Sequence, residues 1–248
     1  MFRHRRKWAP DQYPLLLEGG DHRDHRALDV DHEEVGLRWD HLIPATAALL
    51  VAALAIAGCQ SNKSALASAP HPTYTLHTTK GDIIVELDRE KAPISVDNFA
   101  MHAKRGDYNG TVFHRVVPDF VIQGGGWTPE LVERAALDAK AGHPDTPIKN
   151  EWTNGLKNAR GTIAMAREEQ PDTATREFYI NLKDNTKLDT AREKTGNAGY
   201  AVFGRVIKGM DVVDAIAAVP THAANAPGVT DGSMENVPVE PVVLISMR

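Results

Sequence analysis

Between residues 74 and 247 the chain is cut into eight short β-prone segments, and this spacing restricts its fold more than any other feature. They cover residues 74–79, 82–87, 111–116, 120–123, 162–166, 178–181, 201–206 and 241–247. Lys80-Gly81 joins the first two as a hairpin signal. Pro93 opens a helical pattern in which Ile94, Val96, Phe99, Ala100 and Ala103 recur at three- and four-residue spacing, with Gly106 as the stop. This helix is expected to close one end of the sheet. A second helical pattern, Met210, Val213, Ile216 and Ala217, precedes the last strand. Alternating βαβ units are absent. Eight strands and two helices in about 175 residues predict a mainly β domain over residues 73–248, a closed eight-stranded antiparallel barrel capped by two helices. With 42% hydrophobic and 25% charged residues in 248, a sizeable core is available and disorder is excluded.

Residues before 73 follow a different rule. Residues 42–57 (LIPATAALLVAALAIA) form an uncharged run that ends in Gly58 and Cys59. It is short for a membrane-spanning helix, which needs about 20 apolar residues, and suits the hydrophobic region of an export signal. Ile56-Ala57-Gly58-Cys59 resembles the bacterial lipobox, in which the signal is cut before a cysteine that carries diacylglycerol. Residues 42–58 are therefore expected to be a lipoprotein-type signal, Cys59 the lipidated residue, and residues 59–72 (CQSNKSALASAPHP) a flexible tether. An uncleaved membrane anchor or a buried helix with an incidental cysteine is the other reading. Residues 1–41 carry Asp11, Asp21, Asp24, Asp29, Asp31, Glu33 and Glu34, whereas a signal begins with a short basic region. We expect an over-extended start there, with translation beginning near Val35 or Leu37. His22, His25 and His32 lie among those acids without a structured framework, so no metal site is expected.

The chemistry the domain can carry narrows by elimination. A net charge of −5 with dispersed basic residues gives nucleic acid nothing to track, so no nucleic-acid partner is expected. One cysteine excludes an internal disulfide and a multi-cysteine zinc site. There is no Gly-x-Ser-x-Gly elbow and no His-x-x-x-His pair. Gly124-Gly125-Gly126 lacks the dinucleotide spacing and reads as a place where two backbones approach closely. What stands out is residues 113–125 (FHRVVPDFVIQGG), a strand, turn and strand that would set Arg115, Phe120, Val121 and Gln123 near one another. This supplies a cation, an amide and an apolar floor, with no nucleophile. Taken by itself, it fits a surface arginine beside a core hairpin better than a catalytic group.

That segment resembles the signature of the cyclophilins, a family of peptidyl-prolyl cis-trans isomerases, and further motifs occur in the family's order. Gly161-Thr162-Ile163-Ala164-Met165-Ala166-Arg167 is similar to the family's Gly-x-x-(Ser/Ala)-Met-Ala strand. Glu177-Phe178-Tyr179-Ile180 is similar to its Gln-Phe-Phe-Ile stretch, and Val202-Phe203-Gly204 with Gly209-Met210-Asp211 to its Val-Phe-Gly strand and following helix. Asn150-Glu151, residues 154–158 (NGLKN) and Arg160-Gly161-Thr162 resemble the bacterial branch.

The resemblance implies an enzyme that breaks no bond and needs no cofactor. It only assists rotation about an X-Pro amide over a barrier of ~18–20 kcal/mol. Arg115 matches the catalytic arginine. Phe120, Val121, Tyr179 and Leu188 match the lining of the proline pocket, and Gln123 matches the group that bonds the substrate backbone and steadies the guanidinium. Ala166 and Arg167 match a strand whose backbone pairs with the peptide, so the Arg167 side chain is expected to matter little.

Four positions depart from the familiar pattern. Val121 replaces a common methionine, and Tyr200 stands where many relatives carry histidine. Lys187 occupies an aromatic rim position, which implies weak cyclosporin binding. Glu177 replaces a usual glutamine; it is expected to reach Arg115, fixing the guanidinium while neutralising part of its field, so that Glu177→Gln would be as active as wild type or more so. The expected partners are proline-containing segments of unfolded envelope proteins, plus a membrane through the lipid on Cys59. The expected location is exported and anchored facing the periplasm, with Gln60 favouring the outer membrane over the inner. A proline-binding chaperone or scaffold without catalysis is the alternative. Residues 128–146 are read as a tolerated surface insertion.

Overall fold

The computed structural model describes residues 69–227 and 234–248. The expectations for residues 1–41, for the signal 42–58, for Cys59 and for the tether as far as residue 68 fall outside them.

Turn chemistry builds the first elements as expected. β1 (Thr73–Thr78) and β2 (Gly81–Leu87) pair as an antiparallel hairpin, with Thr78 opposite Gly81. Gly81 takes φ 126°, and the Thr78 hydroxyl donates to the Gly81 carbonyl at 2.7 Å across the turn. Helix α1 (Pro93–Arg105) starts on Pro93 and stops at Gly106 in the left-handed region, φ 77°. Its Val96, Phe99 and Ala103 are buried, but Ile94 is 40% exposed, against the predicted stripe. The helix start is held from far along the chain. The Glu151 carboxylate accepts from the amides of Ile94 and Ser95 and from the Ser95 hydroxyl, at 2.7–3.0 Å. A carboxylate so placed satisfies orphan amides and complements the helix dipole, and its bond to the Ser95 hydroxyl accompanies burial of Ser95.

The remaining elements are β3 (Thr111–Val112), β4 (Arg115–Val117), β5 (Val121–Gly124), α2 (Arg134–Lys140), β6 (Thr162–Met165), β7 (Phe178–Asn181), β8 (Val202–Lys208), α3 (Met210–Ala217), β9 (Thr221–Ala224), β10 (Met234–Pro238) and β11 (Val243–Met247). Nine strands form one antiparallel sheet in the order β3-β11-β1-β2-β8-β6-β7-β5-β4, and β9 and β10 form a separate ribbon. Only Phe113 and His114 separate β3 at one edge from β4 at the other. Three residue steps span at most roughly 11 Å, so the two edges lie close together and the sheet must curl. Beyond β5, the Trp127 carbonyl accepts from the Val112 amide of β3 at 2.9 Å, an isolated antiparallel bridge.

The fold is thus mainly β, as predicted, with corrections in detail. The described residues hold a curled nine-stranded sheet with three helices, not a closed eight-stranded barrel with two. The expected strand 111–116 is divided into β3 and β4, with Phe113 and His114, both buried, between them. Phe99 sits at the centre of the core, its ring 5.1–5.6 Å from those of Tyr74, Tyr108, Phe178 and Phe203.

Residues 128–146 are more than a surface insertion. They contain α2, and their Asp138 and Asp145 grip Arg176, a guanidinium only 1% exposed. Arg176 donates to Asp138 at 2.6 Å through Nη1, to Asp145 at 2.6 Å through Nε, and again to Asp145 through Nη2. The connection is therefore fastened to the residue preceding Glu177.

Candidate functional site

The β4–β5 hairpin places the first site residues. Its turn bonds the Phe120 amide to the Val117 carbonyl at 3.1 Å, with Pro118 second and Asp119 third, at φ 56°. Proline presets its own φ, and aspartate tolerates the left-handed conformation better than most residues. The register then sets Arg115 directly opposite Gln123. Arg115 Nη1 donates to Gln123 Oε1 at 3.4 Å, and its Cζ lies 5.8 Å from the Phe120 ring centroid. Burial pulls the Arg115 guanidinium below its ordinary value, yet an arginine stays charged.

A cavity of about 270 Å³ opens beside this hairpin, lined by Arg115, Phe120, Val121, Gln123, Ala166, Arg167, Tyr179, Leu188 and Tyr200. The fold thus gathers nine of the predicted positions around one space, with Glu177 next door. Val121, Ala166, Tyr179 and Leu188 are buried and belong to an apolar cluster of their own, against which Phe120 and Tyr200 pack. Tyr179 and Tyr200 meet edge to face at 6.1 Å. Lys187 is exposed in the 3-10 turn Thr186–Asp189, which also presents Leu188. A larger cavity of about 400 Å³ lies around Leu87 and Val202. It holds none of these positions, and the Arg205–Glu86 ion pair borders it.

One expectation about the wall needs correction, that the Arg167 side chain matters little. The Ala166 amide donates to the Glu177 carbonyl at 2.8 Å. The Arg167 side chain matters, because it donates to the carbonyls of Glu168, Glu169, Thr195, Ala198 and Gly199 and stacks 4.4 Å over the Tyr200 ring. It ties the loop before Tyr200 to the end of β6.

Glu177 meets a different partner from the one expected. Its Oε2 accepts from Gln123 Nε2 at 2.7 Å and lies 3.4 Å from His114 Nε2, while its Oε1 accepts from Trp127 Nε1 at 3.0 Å. Arg115 connects to Glu177 through Gln123, not by a direct ion pair. Burial pushes the Glu177 carboxyl up, but the facing His114 and the bonds from His114, Gln123 and Trp127 outweigh it and hold the group below its ordinary value. Gly126 makes the space: a Cβ there would stand 2.0 Å from Glu177 Oε1. At Gly124 the reading of a close backbone approach agrees with the structure, since a Cβ would stand 3.1 Å from the Val112 carbonyl oxygen.

Sequence reasoning passed over several supporting side chains. Asn158, 1% exposed, accepts from the Tyr179 hydroxyl at 2.7 Å and donates to Asp189 at 2.8 Å, fixing residues on two sides of the cavity. Asn185 donates to the Phe120 carbonyl at 2.8 Å. Trp127 and His114 complete the set around Glu177. Asn158 stood inside the motif at 154–158, where the signal was available; the roles of Asn185 and Trp127 depend on contacts 65 and 50 residues away. No group of three potential metal ligands occurs among the described residues.

The chain is similar to known proteins. Residues 73–246 match the family model described as cyclophilin type peptidyl-prolyl cis-trans isomerase/CLD. A peptidyl-prolyl cis-trans isomerase of Acinetobacter baylyi is 50% identical over 173 residues, covering 70% of this chain and 82% of that protein. Peptidyl-prolyl cis-trans isomerase B of Escherichia coli is 43% identical over 173 residues, covering 70% and 96%. Among solved structures, a cyclophilin type isomerase of Cryptosporidium parvum superposes with a TM-score of 0.54 at 21% identity, over 71% of this chain and 96% of that one, and shows the shared fold. It has also been solved in the presence of the dipeptide Ala-Pro. The strand order, the hairpin that opposes Arg115 to Gln123, and this match over residues 73–246 together show that the chain belongs to the cyclophilin-type peptidyl-prolyl cis-trans isomerases.

Proposed function

We propose that the cavity beside Arg115 receives the proline ring of an X-Pro segment and that Arg115 stabilises the twisted amide during cis-trans isomerisation. The observation that carries this reading is a guanidinium bonded to Gln123 beside a cavity that Phe120, Val121, Tyr179 and Leu188 also line. In a planar prolyl amide the nitrogen lone pair is delocalised. Twisting the bond ends that delocalisation and makes the nitrogen an acceptor, so a fixed cationic donor binds the twisted state more strongly than either planar isomer. Phe120, Val121, Tyr179 and Leu188 grip the ring while the preceding carbonyl turns. Gln123 does two jobs: it accepts from Arg115 and holds the peptide backbone. No bond is made or broken, and the chemistry calls for no cofactor.

Substrates are then unfolded or loop segments, where X-Pro bonds are exposed. The apolar run ending at Cys59 supports a second part of the reading: an enzyme exported, lipid-anchored through Cys59 and serving envelope proteins on the periplasmic side, with the outer membrane favoured by Gln60.

Protease-coupled isomerisation of a short X-Pro peptide tests the catalytic part and separates it from passive proline binding. By analogy with loss of an oxyanion-hole donor, Arg115→Ala should lower turnover by ~10²–10³-fold with the melting temperature preserved. Unchanged turnover in that variant would move the reaction to another site.

A further inference from the structure

We propose that Glu177 is a positioning residue for the isomerase reaction: as an acceptor-only carboxylate it locks the Gln123 carboxamide so that its oxygen faces Arg115. The inference rests on the isomerase reading of the adjacent cavity. Two donors bond this carboxylate, Gln123 Nε2 at 2.7 Å and Trp127 Nε1 at 3.0 Å, and His114 Nε2 faces it at 3.4 Å. A carboxylate offers two acceptor oxygens and no proton, so it satisfies both donors at once.

The consequence reaches Arg115 by elimination. A glutamine side chain has an NH₂ end and an oxygen end. With the Gln123 NH₂ claimed by Glu177, the oxygen faces the other way and accepts from Arg115 Nη1. The flipped carboxamide would set NH₂ against guanidinium and leave no acceptor between Gln123 and Arg115. Gly126 leaves the room this carboxylate takes, since a Cβ there would stand 2.0 Å from Glu177 Oε1.

Trp127 supplies the constraint that makes the charge necessary. An amide at position 177 has one oxygen, and Trp127 can only donate. If that oxygen accepts from Trp127, the amide NH₂ points at Gln123 and His114, and Gln123 flips to meet it. If the oxygen accepts from Gln123 instead, NH₂ opposes the indole N–H. Either way one bond is lost. This reverses the earlier expectation that Glu177→Gln would be as active as wild type.

Other charged groups share the surroundings. Glu133 precedes α2, Arg167 and Glu168 follow β6, and Asp145 lies in the α2 connection; all line the cavity that Glu177 borders. The Arg176 guanidinium, on Glu177's own segment, is taken up by Asp138 and Asp145. The titratable group that faces the Glu177 carboxylate is His114, its Nε2 at 3.4 Å.

The test is a double-mutant cycle read by kcat in the peptide assay. Glu177→Gln should lower kcat by about tenfold, the scale of one lost hydrogen bond, with the fold intact. In a Trp127→Phe background the indole donor is gone, so the amide can turn its oxygen to Gln123; there Glu177→Gln should cost less than about threefold. An equal loss in both backgrounds, or no loss in either, overturns the proposal. Wild-type protein gives a second reading that needs no variant. The Trp127 indole N–H and the Gln123 carboxamide NH₂ should shift together in NMR spectra as Glu177 is protonated in acid, with kcat falling at the same midpoint. Separate midpoints, or a kcat indifferent to that titration, overturn it. An inactive wild type, or an Arg115→Ala variant with full activity, would instead remove the isomerase reading beneath it.

Discussion

Replacing Arg176 with methionine tests whether the connection 128–146 is part of the folded core. Methionine keeps most of the apolar stem and removes the charge and every donor. The guanidinium is 1% exposed, and the carboxylates it satisfies are themselves mostly covered, with side-chain exposures of 12% for Asp138 and 7% for Asp145. Removing one member of such a set strands buried charge, which costs ~3–5 kcal/mol. For a domain of this size ~1 kcal/mol shifts the melting temperature by ~2–4 °C, so a drop of roughly 6–20 °C is expected. Arg176→Lys keeps the charge without the planar fork and should fall between.

The deficit also has a pH dependence. Burial raises the Asp138 carboxyl, but the bonds and charges of Arg176 and Arg134 outweigh it and hold the group below its ordinary value. A depressed native value gives stability that is full above the unfolded value, ~3.9, and lost as pH falls through the native one. The gap between wild type and Arg176→Met should therefore narrow below about pH 4. Thermal and urea melts between pH 3 and 8 measure both effects. A variant that melts within about 2 °C of wild type at pH 7 would refute the clamp and restore the reading of 128–146 as a loose insertion.

Two further outcomes follow from residues at the margins of the domain. Cys59→Ser should abolish acylation and release the protein from membranes; wild-type protein found wholly soluble, with no acyl mass on the intact chain, would contradict the anchor. Lys187 stands exposed beside Leu188 at the cavity rim, so cyclosporin should bind weakly, and Lys187→Trp should strengthen it roughly two- to tenfold through aromatic packing. Nanomolar inhibition of the wild type measured in the peptide assay would sink that account.

Sequence by itself determined what local geometry controls. Lys80-Gly81 specified a hairpin, Pro93 and Gly106 bounded a helix, and the run from Arg115 to Gln123 was written as strand, turn and strand that brings those two residues near each other. Each depends on backbone preferences within a few residues. The short ribbon of β9 and β10 escaped notice because THAA and MENVP have little β-branched character. Only the tertiary structure decided the rest. The sheet order set the two halves of the expected strand 111–116 at opposite edges, and Glu151 came to bond the start of the first helix at Ile94 and Ser95, 56 residues from Ser95. The fate of Glu177 was the least legible. Its sequence position could not reveal that Gln123, 54 residues earlier, and Trp127, 50 residues earlier, would both donate to it. A carboxylate's role is set by which donors reach it in space, and that depends on how distant strands are brought together, which no local pattern records.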